Sequence, residues 1–305
     1  MTRIILDCDP GHDDAIALLL ALGSPEVELL GVTTVAGNQT LERTTANAIR
    51  VLDHLGRDDI PVAAGSARPL VREGRVLPHV FGDTGLDGPD LPPAARQPEP
   101  EHAVDWIAAK LEANGEPVTL VATGPLTNVA LLLARHPEAQ PARIVLMGGS
   151  IGEGNETPAA EFNMWADPEA AARVFDSGIE LTMVGLDVTH QALMTSAHAE
   201  RLASRGRAGK LVADLYDFYS RFHRQYYPWE GSPIHDACAV AHVLDPTLIE
   251  TRHCGVRIDT GIESRGRTNV DRWQQMGWEP NCHVGVGIEA ERFLELLIER
   301  IGGLG

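Results

Sequence analysis

The chain has 305 residues, of which 44% are apolar and 22% are charged, and 43 acidic side chains against 25 basic ones give a formal net charge of −18. This balance argues against nucleic acid and against an anionic membrane surface as partners, because both are bound through basic patches. The apolar runs are too short to cross a bilayer, and the first residues turn acidic too soon for us to expect a signal peptide. We therefore expect a globular, cytoplasmic protein with a single domain over residues 1–305.

Short apolar runs alternate with longer amphipathic ones along the chain. We predict strands at residues 3–6, 28–35, 118–122, 143–147 and 180–184. Helices are predicted at residues 13–22, 41–55, 101–114, 126–135, 168–176 and 211–227, and again after residue 235. Residues 61–100 are rich in proline, glycine and charge, and they are predicted to form a long loop. Because nearly continuous apolar strands between helices indicate a parallel sheet covered on both faces, the fold class is α/β with a mostly parallel central sheet flanked by helices.

Four carboxylates occur within eight residues, where the first predicted strand gives way to the first helix. The segment reads Asp7-Cys8-Asp9-Pro10-Gly11-His12-Asp13-Asp14. In an open α/β sheet, ligands bind at the carboxyl ends of strands, and four crowded carboxylates repel one another unless a cation or hydrogen bonds neutralise them. Oxygen ligands without His or Cys partners suit Ca²⁺ or Mg²⁺. The segment therefore favours a metal site over simple helix capping.

Three later segments carry weaker signals. The turn at Thr123 could offer a backbone carbonyl to a metal ion, although an ordinary strand-to-helix turn explains it at least as well. Glu161 and Asn163 suit the recognition of sugar hydroxyls, and a solvated loop would look the same. Asp236 could be a metal ligand with His235 as proton donor, or an N-cap beside an incidental histidine.

Taken together, these motifs resemble those of the inosine–uridine-preferring nucleoside hydrolase family. The matching segments follow the family's order over nearly the whole chain and are residues 7–14, 33–38, 123–128, 147–149, 161–163, 167–169 and 235–236. The resemblance implies an N-ribohydrolase that holds Ca²⁺ at the carboxyl ends of a mostly parallel sheet. It also implies a small-molecule nucleoside substrate and a homo-oligomer, either a dimer or a tetramer.

The resemblance also implies a role for individual residues of this chain. The metal ligands would be the carboxylates of Asp9, Asp14 and Asp236 and the carbonyl of Thr123. The substrate-binding residues would be Asp13, Asn38, Met147, Asn155, Glu161 and Asn163. Asp9 would act as general base on a water held by Ca²⁺, and His235 would assist the departure of the base.

One segment departs from the family pattern. The family often has His-Gly-x-x-Gly where this chain reads Phe81-Gly82-Asp83-Thr84-Gly85. A phenylalanine can stack on a ring but cannot donate a proton, so the preference for purine or pyrimidine bases stays open. The aromatic residues between 218 and 227 are interpreted as core or interface residues.

Two other functions compete with the nucleoside hydrolase. A catalytically silent protein that binds Ca²⁺ or ribose would keep the acidic cluster without using a base or an acid. A metal-dependent phosphohydrolase would use Asp7 and Asp9 as an Asp-x-Asp nucleophile pair. Gly11 stands where that pattern usually has Thr or Val, and the two lysines of the chain, Lys110 and Lys210, lie in no matching motif.

Overall fold

Strands and helices alternate through the part of the chain that the computed structural model describes, which is residues 1–304 without the side chain of Asn114. The strands are β1 (Thr2–Cys8), β2 (Val27–Thr34), β3 (Val62–Ala64), β4 (Val118–Ala122), β5 (Arg143–Met147), β6 (Leu181–Val184), β7 (Leu193–Met194), β8 (Ser232–Pro233), β9 (Ile249–Ile258), β10 (Thr268–Asp271) and β11 (Cys282–Ile288). The helices are α1 (His12–Leu22), α2 (Leu41–His54), α3 (Pro78–Phe81), α4 (Ala103–Asn114), α5 (Thr127–Arg135), α6 (Phe162–Ala166), α7 (Pro168–Phe175), α8 (Leu186–Thr189), α9 (Ser196–Ala203), α10 (Gly206–Tyr226), α11 (His235–Leu244) and α12 (Ala290–Gly302), with a 3₁₀ turn at Pro246–Leu248.

Nine of these strands form one sheet in the order β10-β9-β11-β6-β5-β4-β1-β2-β3. The seven neighbouring strands β11, β6, β5, β4, β1, β2 and β3 pair in parallel. At the other edge of the sheet, β9 pairs antiparallel with both β11 and β10. The predicted fold class, a mostly parallel sheet flanked by helices, is therefore confirmed. The strand order reverses beside β1, so the carboxyl ends of β1 and β4 flank the crevice where sheets of this type bind ligands.

Side chains alternate along β1 between two cores, one on each face of the sheet. Ile4 and Leu6 pack with apolar residues of α1, α11 and α12 on one face. Ile5 packs with residues of α4, α5 and α7 on the other. All three side chains are fully buried, and each contributes about 1.5–3 kcal/mol of transfer free energy relative to exposure. The two cores hold β1 from both faces, and the acidic segment follows directly from its end.

The predicted elements agree with β1, β2, β4, β5, β6 and with α1, α2, α4, α5, α7, α10 and α11 within a few residues at each end. The helix α7 begins as expected, because Asp167 accepts a hydrogen bond from the Ala170 backbone N–H and Pro168 takes the first helical position. The prediction of one long loop over residues 61–100 is wrong in part. That segment contains the edge strand β3, which pairs with β2, and the helical turn α3. The strands β9 to β11 and the helix α12 were not predicted.

The four cysteines are buried thiols, Cys8, Cys238, Cys254 and Cys282. Their spacing lacks the short pairs that zinc sites and redox motifs use. Within residues 1–304, no helix combines the length and the apolar character that crossing a bilayer would need.

Candidate functional site

A cavity lies at the carboxyl ends of the parallel strands. Its lining includes residues that follow β1, β4 and β5, the start of α11, and side chains from α3 and α10. Among the lining residues are Asp13, Asn38, Phe81, Thr123, Met147, Asn155, Glu161, Asn163, His190, Tyr219, Phe222, His223, Tyr227, Trp229, His235 and Asp236. Carboxylates and amides therefore share one cavity with aromatic and histidine rings.

The acidic segment after β1 meets Asp236 of α11 in a group that we call the carboxylate cluster: Asp9, Asp13, Asp14 and Asp236. One carboxylate oxygen from each of Asp13, Asp14 and Asp236 lies within 4.8 Å of the others. Burial raises the pKa of all four carboxyls, and that of Asp13 rises to about 8. Among the described residues, Asp9 Oδ1 and Asp13 Oδ1 have no hydrogen-bond partner. Burying ionised carboxylates side by side is electrostatically unfavourable unless a cation or bound protons neutralise their charge.

Backbone and amide groups fix two members of the carboxylate cluster. The Asn38 backbone N–H donates to Asp9 Oδ2 at 2.6 Å, and its side-chain amide donates to the Asp9 carbonyl and to Asp14 Oδ2. Asp14 Oδ2 also accepts from the Gly11 N–H at 3.0 Å, and its Oδ1 accepts from the Thr123 hydroxyl at 2.8 Å. These hydrogen bonds orient the carboxylates of Asp9 and Asp14 in the absence of a ligand. They come from the turns after β1, β2 and β4.

Two glycines make room for Asp9. A Cβ at Gly37 would lie 2.1 Å from Asp9 Oδ2, and one at Gly124 would lie 2.7 Å from Asp9 Oδ1. Neither distance is compatible with a real side chain, so both turns require glycine to approach the carboxylate. The Asp9 side chain is therefore enclosed on two sides by backbone.

Glu161 and Asn163 lie on the turn that begins α6. Glu161 caps this helix, since its carboxylate accepts from the backbone N–H groups of Asn163, Met164 and Gly149 at 2.9 to 3.1 Å. Burial raises the pKa of Glu161 to about 7, although these three bonds act in the opposite direction. The carboxylate is thus held in one orientation at the cavity wall.

The side chain of Asn163 connects two strand ends. Its amide nitrogen donates to the Thr123 carbonyl at 2.7 Å and to the Met147 carbonyl at 3.2 Å. The Thr123 carbonyl, for which the resemblance implied a metal-binding role, thus accepts a hydrogen bond in this structure. Asn155 Oδ1 accepts from the Phe162 N–H at 2.9 Å, which leaves its amide nitrogen for other partners.

His235 is the first residue of α11, and Ile234 takes the N-cap position. The alternative that Asp236 is merely an N-cap is therefore wrong. The Nδ1 atom of His235 lies 2.7 Å from the Thr189 hydroxyl. Burial, and then the nearby His190 and His223, lower the pKa of His235 well below its ordinary value. The imidazole is therefore neutral near pH 7, so an ordinary histidine pKa cannot be the reason why it would serve as a proton donor.

Aromatic and histidine rings form another part of the cavity lining, which we call the ring wall: Phe81, His190, Tyr219, Phe222, His223, Tyr227 and Trp229. Tyr227 stacks on Trp229 at 4.1 Å between ring centroids, and His190 approaches Trp229 at 4.7 Å. Phe81 lies over Tyr219 at 6.0 Å with an angle of 22° between the rings. Burial lowers the pKa of His223 to about 4 and also lowers that of His190. The wall is therefore uncharged near pH 7 and can meet a flat, neutral heterocycle.

Comparison with known proteins decides the family. The model of the inosine-uridine preferring nucleoside hydrolase family matches residues 4–295. The chain belongs to this family. It is 52% identical over 303 residues to the pyrimidine-specific ribonucleoside hydrolase RihA of Shewanella sp. strain ANA-3, covering 98% of this chain and 95% of the relative. The RihA protein of Photobacterium profundum is 50% identical over 98% of both chains. The structure matches the purine-preferring ribonucleoside hydrolase of Gardnerella vaginalis with a TM-score of 0.94 and 37% identity over 99% of both chains.

Membership of the nucleoside hydrolase family makes the protein an enzyme that hydrolyses N-glycosyl bonds of ribonucleosides. The family assignment drawn from the sequence motifs is thus confirmed. The alternative of a phosphohydrolase is wrong on this ground and on a structural one. Asp7 is fully buried, and its Oδ1 accepts from the Thr33 hydroxyl at 2.6 Å and from the Asn128 amide at 2.8 Å. It supports the ends of β1, β2 and α5, and it is not among the residues that line the cavity.

The structure brings the sequence-predicted residues to one place. All six residues expected to bind substrate line the cavity, together with Thr123, His235 and Asp236. Asp9 and Asp14 lie behind this lining and reach it through Asn38 and Thr123. Asp13 was expected to bind the ribose, and its carboxylate also lies within 4.8 Å of those of Asp14 and Asp236 in the carboxylate cluster.

Sequence reasoning missed most of the ring wall. The aromatic residues at 218–227 were interpreted as core or interface residues, and this is incomplete, because Tyr219, Phe222 and Tyr227 line the cavity. The spacings of three and four residues from Tyr219 to Phe222 and to His223 on α10 could have indicated one shared helix face. His190 and Trp229 carried no distinguishing pattern in the sequence.

Proposed function

We propose that this enzyme cleaves the C1′–N bond of ribonucleosides, releasing base and ribose, in a Ca²⁺-dependent reaction. The observation that carries the proposal is the cavity itself, in which a buried carboxylate cluster adjoins an uncharged ring wall. A nucleoside has the same two parts, a polyhydroxylated sugar and a flat base. Four other cavities among the described residues do not combine a buried carboxylate cluster with a wall of aromatic rings.

The carboxylate cluster suits a hard divalent cation. Its donors are oxygens throughout, and Asp9 Oδ1 and Asp13 Oδ1 have no hydrogen-bond partner among the described residues. We assign the ion to the carboxylates of Asp9, Asp14 and Asp236 and to the Thr123 carbonyl. The number and type of these oxygens favour Ca²⁺ over zinc. When bound, the cation supplies positive charge that keeps the surrounding carboxylates ionised and makes a neighbouring water more acidic.

The ribose would lie against the polar lining beside the cluster. We assign its hydroxyls to Asp13, Asn38, Asn155, Glu161 and Asn163, with Met147 packing against the sugar. Cleavage of the C1′–N bond builds positive charge on the ribose, as in glycosidases. Anionic carboxylates and amide oxygens oriented before substrate binds would stabilise that charge in the transition state.

The reaction needs one proton taken from water and one supplied to the base. Asp9 would accept a proton from the attacking water as the water oxygen bonds to C1′. The electron pair of the C1′–N bond leaves with the base, and the base acquires its proton from solvent or from a group in the cavity. His235 would assist by donating a hydrogen bond through a ring N–H, because a buried neutral imidazole is an electrophile rather than a strong acid.

Two relatives suggest the substrate class. Both RihA proteins, at 50–52% identity, are named pyrimidine-specific, whereas the structural relative from Gardnerella vaginalis, at 37%, is named purine-preferring. We therefore propose uridine and cytidine as preferred substrates. A homo-oligomeric state, dimer or tetramer, a cytoplasmic location and a role in nucleoside salvage stay predictions.

A reducing-sugar assay tests the proposal. Inosine, guanosine, adenosine, uridine and cytidine are each incubated with the enzyme, with and without a chelator, and Ca²⁺ or Mg²⁺ is then added back. We expect free ribose from uridine and cytidine above the purines, loss of turnover with chelator and recovery with Ca²⁺. Undiminished activity after complete metal removal would exclude the ion, and release of purines alone would reverse the substrate assignment.

A further inference from the structure

A buried hydroxyl contacts His235, the histidine proposed to assist the leaving base. Thr189 is the last residue of α8, is fully buried, and its Oγ1 lies 2.7 Å from His235 Nδ1. The proposed function uses His235 but gives Thr189 no role. A hydroxyl can donate or accept a hydrogen bond, so this contact can fix both the direction of the ring and the position of its hydrogen.

The backbone around this contact is also tied down. The strands β7 and β8 pair as a two-stranded antiparallel sheet, separate from the large one. The Ile234 N–H donates to the Ala192 carbonyl at 3.2 Å. Ala192 follows Thr189 by three residues, and Ile234 immediately precedes His235. The distance between the hydroxyl and the ring is therefore set by main-chain pairing on both sides.

The chemistry of the ring makes the partner at Nδ1 decisive. With Nδ1 engaged by Thr189, Nε2 is the ring nitrogen that remains for a ligand in the cavity. For Nε2 to donate, it must carry the hydrogen, and in a neutral imidazole Nδ1 must then accept. A hydroxyl can donate to Nδ1, whereas a backbone carbonyl or a carboxylate at that place could only accept and would put the hydrogen on the wrong nitrogen.

We propose that Thr189 is a positioning residue, which donates its hydroxyl hydrogen to His235 Nδ1 and so holds the tautomer whose Nε2–H meets the departing base. The inference rests on the proposed role of His235. It adds no bond-making step, because the electron pair of the C1′–N bond still leaves with the base. Thr189 acts on the base only through the ring of His235.

Paired substitutions separate this role from simple packing. Thr189→Val keeps the size and branching of the side chain and removes the hydroxyl, while Thr189→Ser keeps the hydroxyl. We expect Thr189→Val to lower kcat on uridine and cytidine by about 10-fold, with KM changed by less than about twofold. Activity on 4-nitrophenyl riboside, whose leaving group needs little help, should fall much less. Thr189→Ser should restore most of the lost kcat.

A double variant distinguishes failure of the inference from failure of the proposed function. If Thr189 works through His235, Thr189→Val should have no further effect on uridine turnover in a His235→Ala background. Full uridine activity in His235→Ala alone would remove the proposed role of His235 itself. A loss in His235→Ala with none in Thr189→Val would overturn only the role of Thr189. Equal losses on uridine and 4-nitrophenyl riboside, with a lowered Tm, would assign Thr189 to packing and would also overturn it.

Discussion

The carboxylate cluster and the ring wall are built in different ways, although they line one cavity. Three members of the cluster follow the end of β1. The oxygens Asp9 Oδ2, Asp14 Oδ1 and Asp14 Oδ2 accept hydrogen bonds from backbone, amide and hydroxyl groups of the turns after β1, β2 and β4. The ring wall comes mainly from α10 and the turn after it, and its rings pack mainly against one another, although His223 Nδ1 also lies 3.2 Å from the Tyr219 carbonyl. One part of the cavity is fixed by the sheet, and the other by side-chain packing.

The two kinds of support predict which parts of the site tolerate substitution. A carboxylate that is aimed by backbone N–H groups cannot move without breaking the turn that holds it, so the metal and sugar chemistry is tied to the fold. A ring that rests on other rings can be exchanged for another ring at modest cost. We therefore expect substitutions in the carboxylate cluster to abolish turnover, and those in the ring wall to change which base leaves best.

The largest effect is expected from Asp9→Asn. The substitution keeps the size of the side chain but removes the proton acceptor and one negative charge beside the proposed ion. We expect kcat to fall by about 10³–10⁴-fold and Ca²⁺ affinity to weaken, measured by ribose release and by calorimetric titration with Ca²⁺. Asp58→Asn, at an exposed acid, is the control. Near-normal turnover in Asp9→Asn would contradict the proposal that Asp9 accepts the proton of the attacking water.

A smaller loss is expected from Gly37→Ala, which removes no polar group. The added Cβ would lie 2.1 Å from Asp9 Oδ2 and 2.8 Å from the Pro125 ring, so the carboxylate or the turn must shift. A displacement of about 1 Å can cost on the order of 10²-fold in rate, and we expect a loss of that size in kcat/KM on every nucleoside alike. The matched control is Gly287→Ala, where nothing lies within 4 Å of the added Cβ. A selective loss on one base, or equal activity in the two variants, would contradict this account.

The carboxylate cluster could be predicted from the sequence to a greater extent than the ring wall. The acidic segment could be predicted because unusual residues sit at a strand end, where α/β sheets bind ligands. The sequence did not show that Asp7 points away from the cavity and accepts hydrogen bonds from Thr33 and Asn128. Which face of the sheet a strand residue takes depends on the register of the strand, and the sequence alone did not give that register. Tyr219 and Phe222 look like core residues because their helix packs on the core as well. The strands β9 to β11 escaped prediction because glycines and charges interrupt their apolar pattern.

The smallest effect is expected from Phe81→His in the ring wall, at the position where the family often has histidine. Phe81 is 6% exposed, lines the cavity and contacts the rings of Tyr219 and His12. An imidazole there would add a second N–H donor, and we expect kcat on nucleosides with poor leaving groups to rise by about threefold. Activity on 4-nitrophenyl riboside should stay unchanged, because its phenolate needs no donor. Phe81→Leu, which offers no N–H, should not raise turnover on any nucleoside. If both variants raised it equally, the gain would come from a looser wall, and hydrogen bonding to the base would not be its cause.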